Sequence, residues 1–133
     1  MIRRVAVLLA VGWAACGPSG RRDHLQTPAI GNADARVVTE VLNAAGSPPR
    51  PGLARIGART LREAGIDVVF YGTADTTVDS TLILVRRGDR RAGERIARAL
   101  GGGKVRDVPD TLPRVDVTVL LGRDWIPPPD ARP

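Results

Sequence analysis

With 133 residues and a formal charge of +6, the chain is sized for one small domain with appendages, and a domain of that size buries about two-thirds of its unfolded surface. Trp13, Phe70, Tyr71 and Trp125 are the only aromatic residues, which excludes an aromatic core and leaves Val, Leu, Ile and Ala to build one. Nineteen of the twenty basic residues are Arg, which points either to a general Arg bias or to a partner bearing phosphates or carboxylates.

The first sixteen residues, MIRRVAVLLAVGWAAC, form a separate unit. Arg3 and Arg4 make a short positive region, Val5 to Val11 is apolar, and Ala14-Ala15 precede Cys16. The apolar run is shorter than the roughly 20 residues that span a bilayer, so residues 1–15 are expected to be an export signal. Cys16 is the single cysteine and has no internal disulfide partner. Its setting resembles the lipobox of bacterial lipoproteins, with Trp13 where a Leu is usual. That resemblance implies a lipidated Cys16 at the head of the mature chain, and so a membrane-anchored envelope protein on the periplasmic or outer face. Ordinary cleavage near Ala15, or a buried structural thiol, are the competing readings. Removing Arg3 and Arg4 lowers the charge from +6 to +4. A basic chain suits nucleic acid, but export takes it away from that partner, and no zinc-finger spacing or aromatic RNA-binding motif is present.

From Cys16 to Ala35 the chain is rich in Gly, Pro and polar residues without periodicity, and is expected to be a flexible tether. His24, the only histidine, lies in it with no cluster of other ligands, so it is expected to be a solvated residue rather than a metal ligand. The domain is expected over residues 36–125. Val37 to Leu42 predicts a first strand. Leu53, Ile56, Gly57, Thr60, Leu61 and Ala64 then follow one helical stripe, opposite Arg55, Arg59, Arg62 and Glu63, with Gly65 just past the helix end. Val68 to Tyr71 and Thr81 to Val85 predict two strands. Asp89 is placed to cap a second helix, which turns Ala92, Gly93, Ile96, Ala97 and Leu100 inward and ends at Gly101-Gly102-Gly103. Lys104 to Val108 and Asp116 to Leu121 predict two further strands, and the Pro-rich residues 126–133 a disordered tail.

The order β-α-β-β-α-β-β predicts an α+β two-layer sandwich, with two helices on one face of a mixed or antiparallel sheet. A ferredoxin-like split β-α-β arrangement is the first expectation, and the two halves invite a pseudo-symmetric relation.

Taken together, VVTEVLNAAG with PGLA, LREAGIDVV, YGTAD, STLILVRRG, ALGGGKV and DVTVLLGRDW resemble the LytR C-terminal domain, colinearly from Arg36 to Trp125. That module commonly follows the catalytic domain of LytR-CpsA-Psr enzymes, which attach polymers to cell-wall peptidoglycan. The turn departs from the family, which reads a short Gly-x-Pro-Gly-Leu where this chain has AGSPPRPGL. The transferase domain is expected to be missing, leaving a free-standing module. The resemblance implies association with the cell envelope rather than a reaction.

Strand, glycine turn and helix is the layout that cradles phosphates in nucleotide-binding proteins, and VVTEVLNAAGSPPRPGLA has it. Five residues separate Gly46 from Gly52, however, no Gly-Lys-Ser/Thr follows, and Pro48, Pro49 and Pro51 remove N–H donors. Chain reversal is the favoured reading, with anion binding near Arg50 and Gly52 as the alternative. Asn43 at the strand end suits either a ligand contact or a bond to its own loop. Asp75 and Asp79 lie in a polar loop, without the apolar setting that acid–base work by paired carboxylates needs, and the domain contains neither histidine nor thiol. No enzyme activity, metal or cofactor is expected.

Arg86 to Arg98, RRGDRRAGERIAR, holds six arginines in thirteen residues. Arg91, Arg95 and Arg98 share the outer helical face, and basic residues near a helix start oppose its dipole. This favours a face for anionic envelope polymer or lipid headgroups, against the plainer reading of a solvated surface. The sequence therefore predicts a non-catalytic, lipid-anchored module that binds peptidoglycan, an anionic envelope polymer or an envelope protein. Its candidate binding residues are Asn43, Gly46, Gly52, Arg91, Arg95 and Arg98. An accessory subunit docked on a LytR-CpsA-Psr-type transferase is the alternative.

Overall fold

A computed structural model describes residues 36–131. The signal expected over 1–15, Cys16 and the tether with His24 lie outside the described residues.

Seven elements follow in the expected order: β1 (Val38–Asn43), α1 (Leu53–Glu63), β2 (Asp67–Thr73), β3 (Leu82–Val85), α2 (Arg90–Leu100), β4 (Lys104–Asp107) and β5 (Val117–Leu121). They form an α+β domain in which two helices accompany one mixed five-stranded sheet of order β2-β1-β5-β3-β4. The split arrangement is corrected in one respect. No strand is inserted within either β-α-β unit, because β1 pairs directly with β2 and β3 directly with β4, both in parallel. The insertion lies between the units, where β5 runs parallel to β1 and antiparallel to β3. The burial of β5 gives the physical reason. All five of its residues, Val117-Thr118-Val119-Leu120-Leu121, are buried, and a strand buried on both faces belongs at the sheet centre rather than its edge.

The two units run in opposite directions and step to opposite sides of β5. Right-handed crossovers then bring both helices to the same face, where α1 and α2 touch. Each helix approaches the sheet through a glycine. A Cβ on Gly57 would lie 2.7 Å from Leu121 Cδ1, and one on Gly93 would lie 2.7 Å from Val105 Cγ1 and 2.8 Å from Val85 Cγ2. Mid-helix glycine costs about 0.5–1 kcal/mol relative to alanine, and the close layer contact offsets it. Leu61, Ile83, Ile96, Leu121, Val41, Val117 and Val119 are wholly buried between the layers.

The helix ends follow the expected chemistry. Asp89 accepts a hydrogen bond from the Arg91 N–H at 2.9 Å. Gly65 (φ 78°) follows α1 and Gly101 (φ 79°) follows α2 in the left-handed conformation. Trp125 is buried and donates its indole N–H to the Leu100 carbonyl at 3.1 Å. Beyond it the tail is described as far as Ala131, which packs against the core and donates its N–H to the Pro128 carbonyl.

The sheet face away from the helices is amphipathic. Leu42 lies beside Leu120, which lies beside Leu82. Next to this row, Arg86 Nε donates to Thr118 Oγ1 (3.4 Å), whose hydroxyl donates to Glu40 Oε1 (2.7 Å).

Candidate functional site

The glycine turn after β1 is organised by its own side chains. Asn43 Nδ2 donates to the Arg50 carbonyl at 2.6 Å, and its Oδ1 accepts the Ala45 N–H at 3.2 Å. Arg50 in turn donates Nη1 to the Trp125 carbonyl at 3.1 Å, tying the turn to the segment after β5. Gly46 (φ 146°) and Gly52 (φ 72°) both hold positive φ, and Gly52 caps α1 without a side-chain acceptor. Asn43, Gly46 and Gly52 are thus brought into one turn, with both ends of the Asn43 amide engaged inside it. Cross-linking of loop to strand end is the geometry observed.

The arginine-rich run separates into two populations. Arg86 bonds to Thr118, Arg87 pairs with Asp116 at 2.7 Å, and Arg90 reaches Asp107 (2.8 Å), Glu94 (3.6 Å) and the Val105 carbonyl (3.0 Å). These three join α2 and the end of β3 to the sheet. Arg91, Arg95 and Arg98 are exposed on α2 and make no side-chain hydrogen bond or ion pair among the described residues. Because Arg90 takes Glu94, the one acidic residue on α2, the positive charge of the other three is uncompensated on that helix.

A second basic group was not among the candidates read from the sequence. Arg55, Arg59 and Arg62 follow an i, i+4, i+7 stripe on the outer face of α1, and with Glu63 and Tyr71 they line an open hollow of about 460 Å³. Arg62 lies over the Tyr71 ring, 5.8 Å from its centroid. The spacing was legible in the sequence, but Tyr71 reaches the stripe only through the pairing of β2 with β1.

Other charged groups are structural. Arg36 Nε donates to Asp67 Oδ2 at 2.6 Å, and this bond holds the Asp67 carboxyl below the usual carboxylate range, against the opposing effect of burial. Asp79 faces Arg123 at 3.4 Å. Asp124 accepts both the N–H (2.8 Å) and the hydroxyl (2.9 Å) of Thr81, latching β3 to the segment after β5. Among the described residues no group of His, Cys, Asp and Glu is placed to hold a metal ion, and no helix is long and apolar enough to cross a membrane.

An α+β module with a non-split β-α-β pair on each side of a central strand, and with basic outer helical faces, is the class of protein these features define. The model of the family described as "LytR cell envelope-related transcriptional attenuator" matches residues 35–125, and the chain belongs to that family. The match covers the region that resembles the LytR C-terminal domain in sequence. Among solved structures, the fold is similar to the soluble domain of a conserved hypothetical secreted protein from Mycobacterium marinum, with a TM-score of 0.50 and 23% identity over 68% of this chain and 62% of that one. This chain therefore spans less than two-thirds of that structure. The C-terminal domain of RV0431 also matches, with a TM-score of 0.43 and 20% identity over 92% of this chain and 87% of that one. Comparison with curated proteins returned no match.

Proposed function

We propose that this chain is a non-catalytic module of the cell envelope, exported and held at the membrane by a lipid on Cys16, and that it binds anionic envelope polymer through α2. The observation that carries the reading is the set Arg91, Arg95 and Arg98. They are exposed, without partners among the described residues, and lie on a domain whose family is related to the cell envelope. Three adjacent like charges oppose one another and, toward the helix start, the helix dipole. A negatively charged polymer would relieve that repulsion. Cys16, placed after Arg-Arg, an apolar run and Ala-Ala, supplies the anchor in this reading.

The experiment is retention on isolated cell-wall material at low and high salt. Wild type is expected to be retained at low salt and released as salt rises, because exposed charges are screened within about 8 Å at physiological ionic strength. Replacing Arg91, Arg95 and Arg98 together by Gln keeps helix propensity similar, so the fold persists while retention falls. Equal retention of mutant and wild type at low salt would overturn the reading. Docking on a transferase has one observation in its favour, the exposed Val69 and Phe70 on the edge strand β2. Capture of a protein partner that survives the triple substitution would favour it.

A further inference from the structure

We propose that the hollow between the outer face of α1 and the ring of Tyr71 binds an anionic saccharide, a sugar ring carrying a phosphate or a carboxylate. The inference does not depend on the α2 face.

The hollow is assembled from two elements. α1 supplies Arg55, Arg59, Arg62 and Glu63, and β2 supplies Tyr71, which is 42% exposed although it belongs to a sheet strand. Tyr71 sits opposite Val41 in the register, on the helix side of the sheet, which brings its ring beside the α1 arginines.

Arg62 is the preoriented group. Its Nε and Nη2 donate to the Val68 carbonyl at 3.2 and 2.7 Å, and the guanidinium lies over Tyr71. One edge of the planar group is thereby fixed, and Nη1 retains its donors for an oxyanion. An arginine held in place loses less conformational freedom on binding than a mobile one. Arg55, two turns earlier on the same stripe, is exposed, and its side chain makes no hydrogen bond or ion pair among the described residues. It also stands in the first turn of a helix that has no acidic residue there, a position that disfavours a cation.

The remaining groups select a sugar over a bare anion. Tyr71 presents an amphipathic ring suited to the apolar face of a pyranose, and Glu63 offers acceptors to hydroxyl groups. With three guanidinium groups against one carboxylate, the hollow stays positive. A volume of about 460 Å³ is within the range of small-molecule clefts.

The test is an NMR titration of the full chain, following the Arg62 Nε–H and the Tyr71 ring. Four probes are used: glucose 1-phosphate, glucuronate, inorganic phosphate and glucose. At least one of the two anionic sugars is expected to give saturable shifts at both reporters, and the stronger of the pair identifies the acidic group. Inorganic phosphate and glucose should bind more weakly than that sugar. R55Q should weaken its binding about tenfold, as expected for one charge-assisted hydrogen bond. Y71A should abolish the preference for the anionic sugar over inorganic phosphate. Should Y71A lose the fold, R55Q carries the test alone, since its side chain is exposed. The triple Gln variant of α2 should leave the titration unchanged, which separates failure here from failure of the polymer-binding face. No saturable shift with either anionic sugar, equal affinity for inorganic phosphate or glucose, or undiminished affinity in R55Q would overturn the proposal.

Discussion

Arg62 donates two hydrogen bonds to the backbone carbonyl of Val68, and Arg90 does the corresponding service at the other side of the sheet by donating to the carbonyl of Val105. Val68 lies on β2 and Val105 on β4, the two edge strands. Each helix therefore uses one arginine to occupy a carbonyl of the edge strand beside it. Unoccupied edge groups are templates for pairing with another chain, and charged side chains laid over them oppose this.

The double variant R62A/R90A is accordingly expected to self-associate more than wild type. Alanine favours the helix, so loss of the edge guard is separated from loss of helical structure. Sedimentation at rising protein concentration reads the difference. A double variant that matches wild type at every concentration would count against edge protection.

Asn43 is buried at the end of β1, and its amide is engaged with Arg50 and Ala45. N43A should lower the unfolding free energy by about 1–3 kcal/mol, because the turn groups lose their partners in a partly buried setting. N43D should also destabilise, since a carboxylate cannot donate to the Arg50 carbonyl. Urea unfolding measures both. Wild-type stability in N43A would reopen Asn43 as a ligand-contacting residue.

Thr39 lies on the buried side of β1, and its hydroxyl is wholly buried without a hydrogen-bond partner among the described residues. A hydroxyl in that state carries a desolvation penalty that valine of the same shape does not. T39V should raise stability by about 1 kcal/mol, visible as a higher denaturation midpoint at an unchanged slope. A lower midpoint would mean that the hydroxyl is satisfied in solution.

Much of the local architecture was legible from residue spacing. The two helical stripes, the strand at Asp116 to Leu121, the cap at Asp89 and the stops at Gly65 and Gly101 all depend on backbone geometry within a few residues. So did the family, through a colinear series of short blocks from Arg36 to Trp125. The strand order was not legible in this way. Both the split and the direct arrangement bury the same stripes, and what separates them is the partner of β5, drawn from segments dozens of residues away. The arginine cluster illustrates the same limit. Its six members are alike in sequence, yet Arg86, Arg87 and Arg90 reach the sheet because Thr118, Asp116 and Asp107 arrive from β5, the approach to β5 and β4 in turn. Tyr71 likewise meets the α1 arginines only through its register against Val41. Sequence by itself determined the elements, their buried faces and the family, since these rest on short-range periodicity and recognisable blocks. Tertiary structure alone decided which arginines are held to the sheet and which remain exposed, because pairs such as Arg87 with Asp116 require a long-range contact that no local pattern encodes.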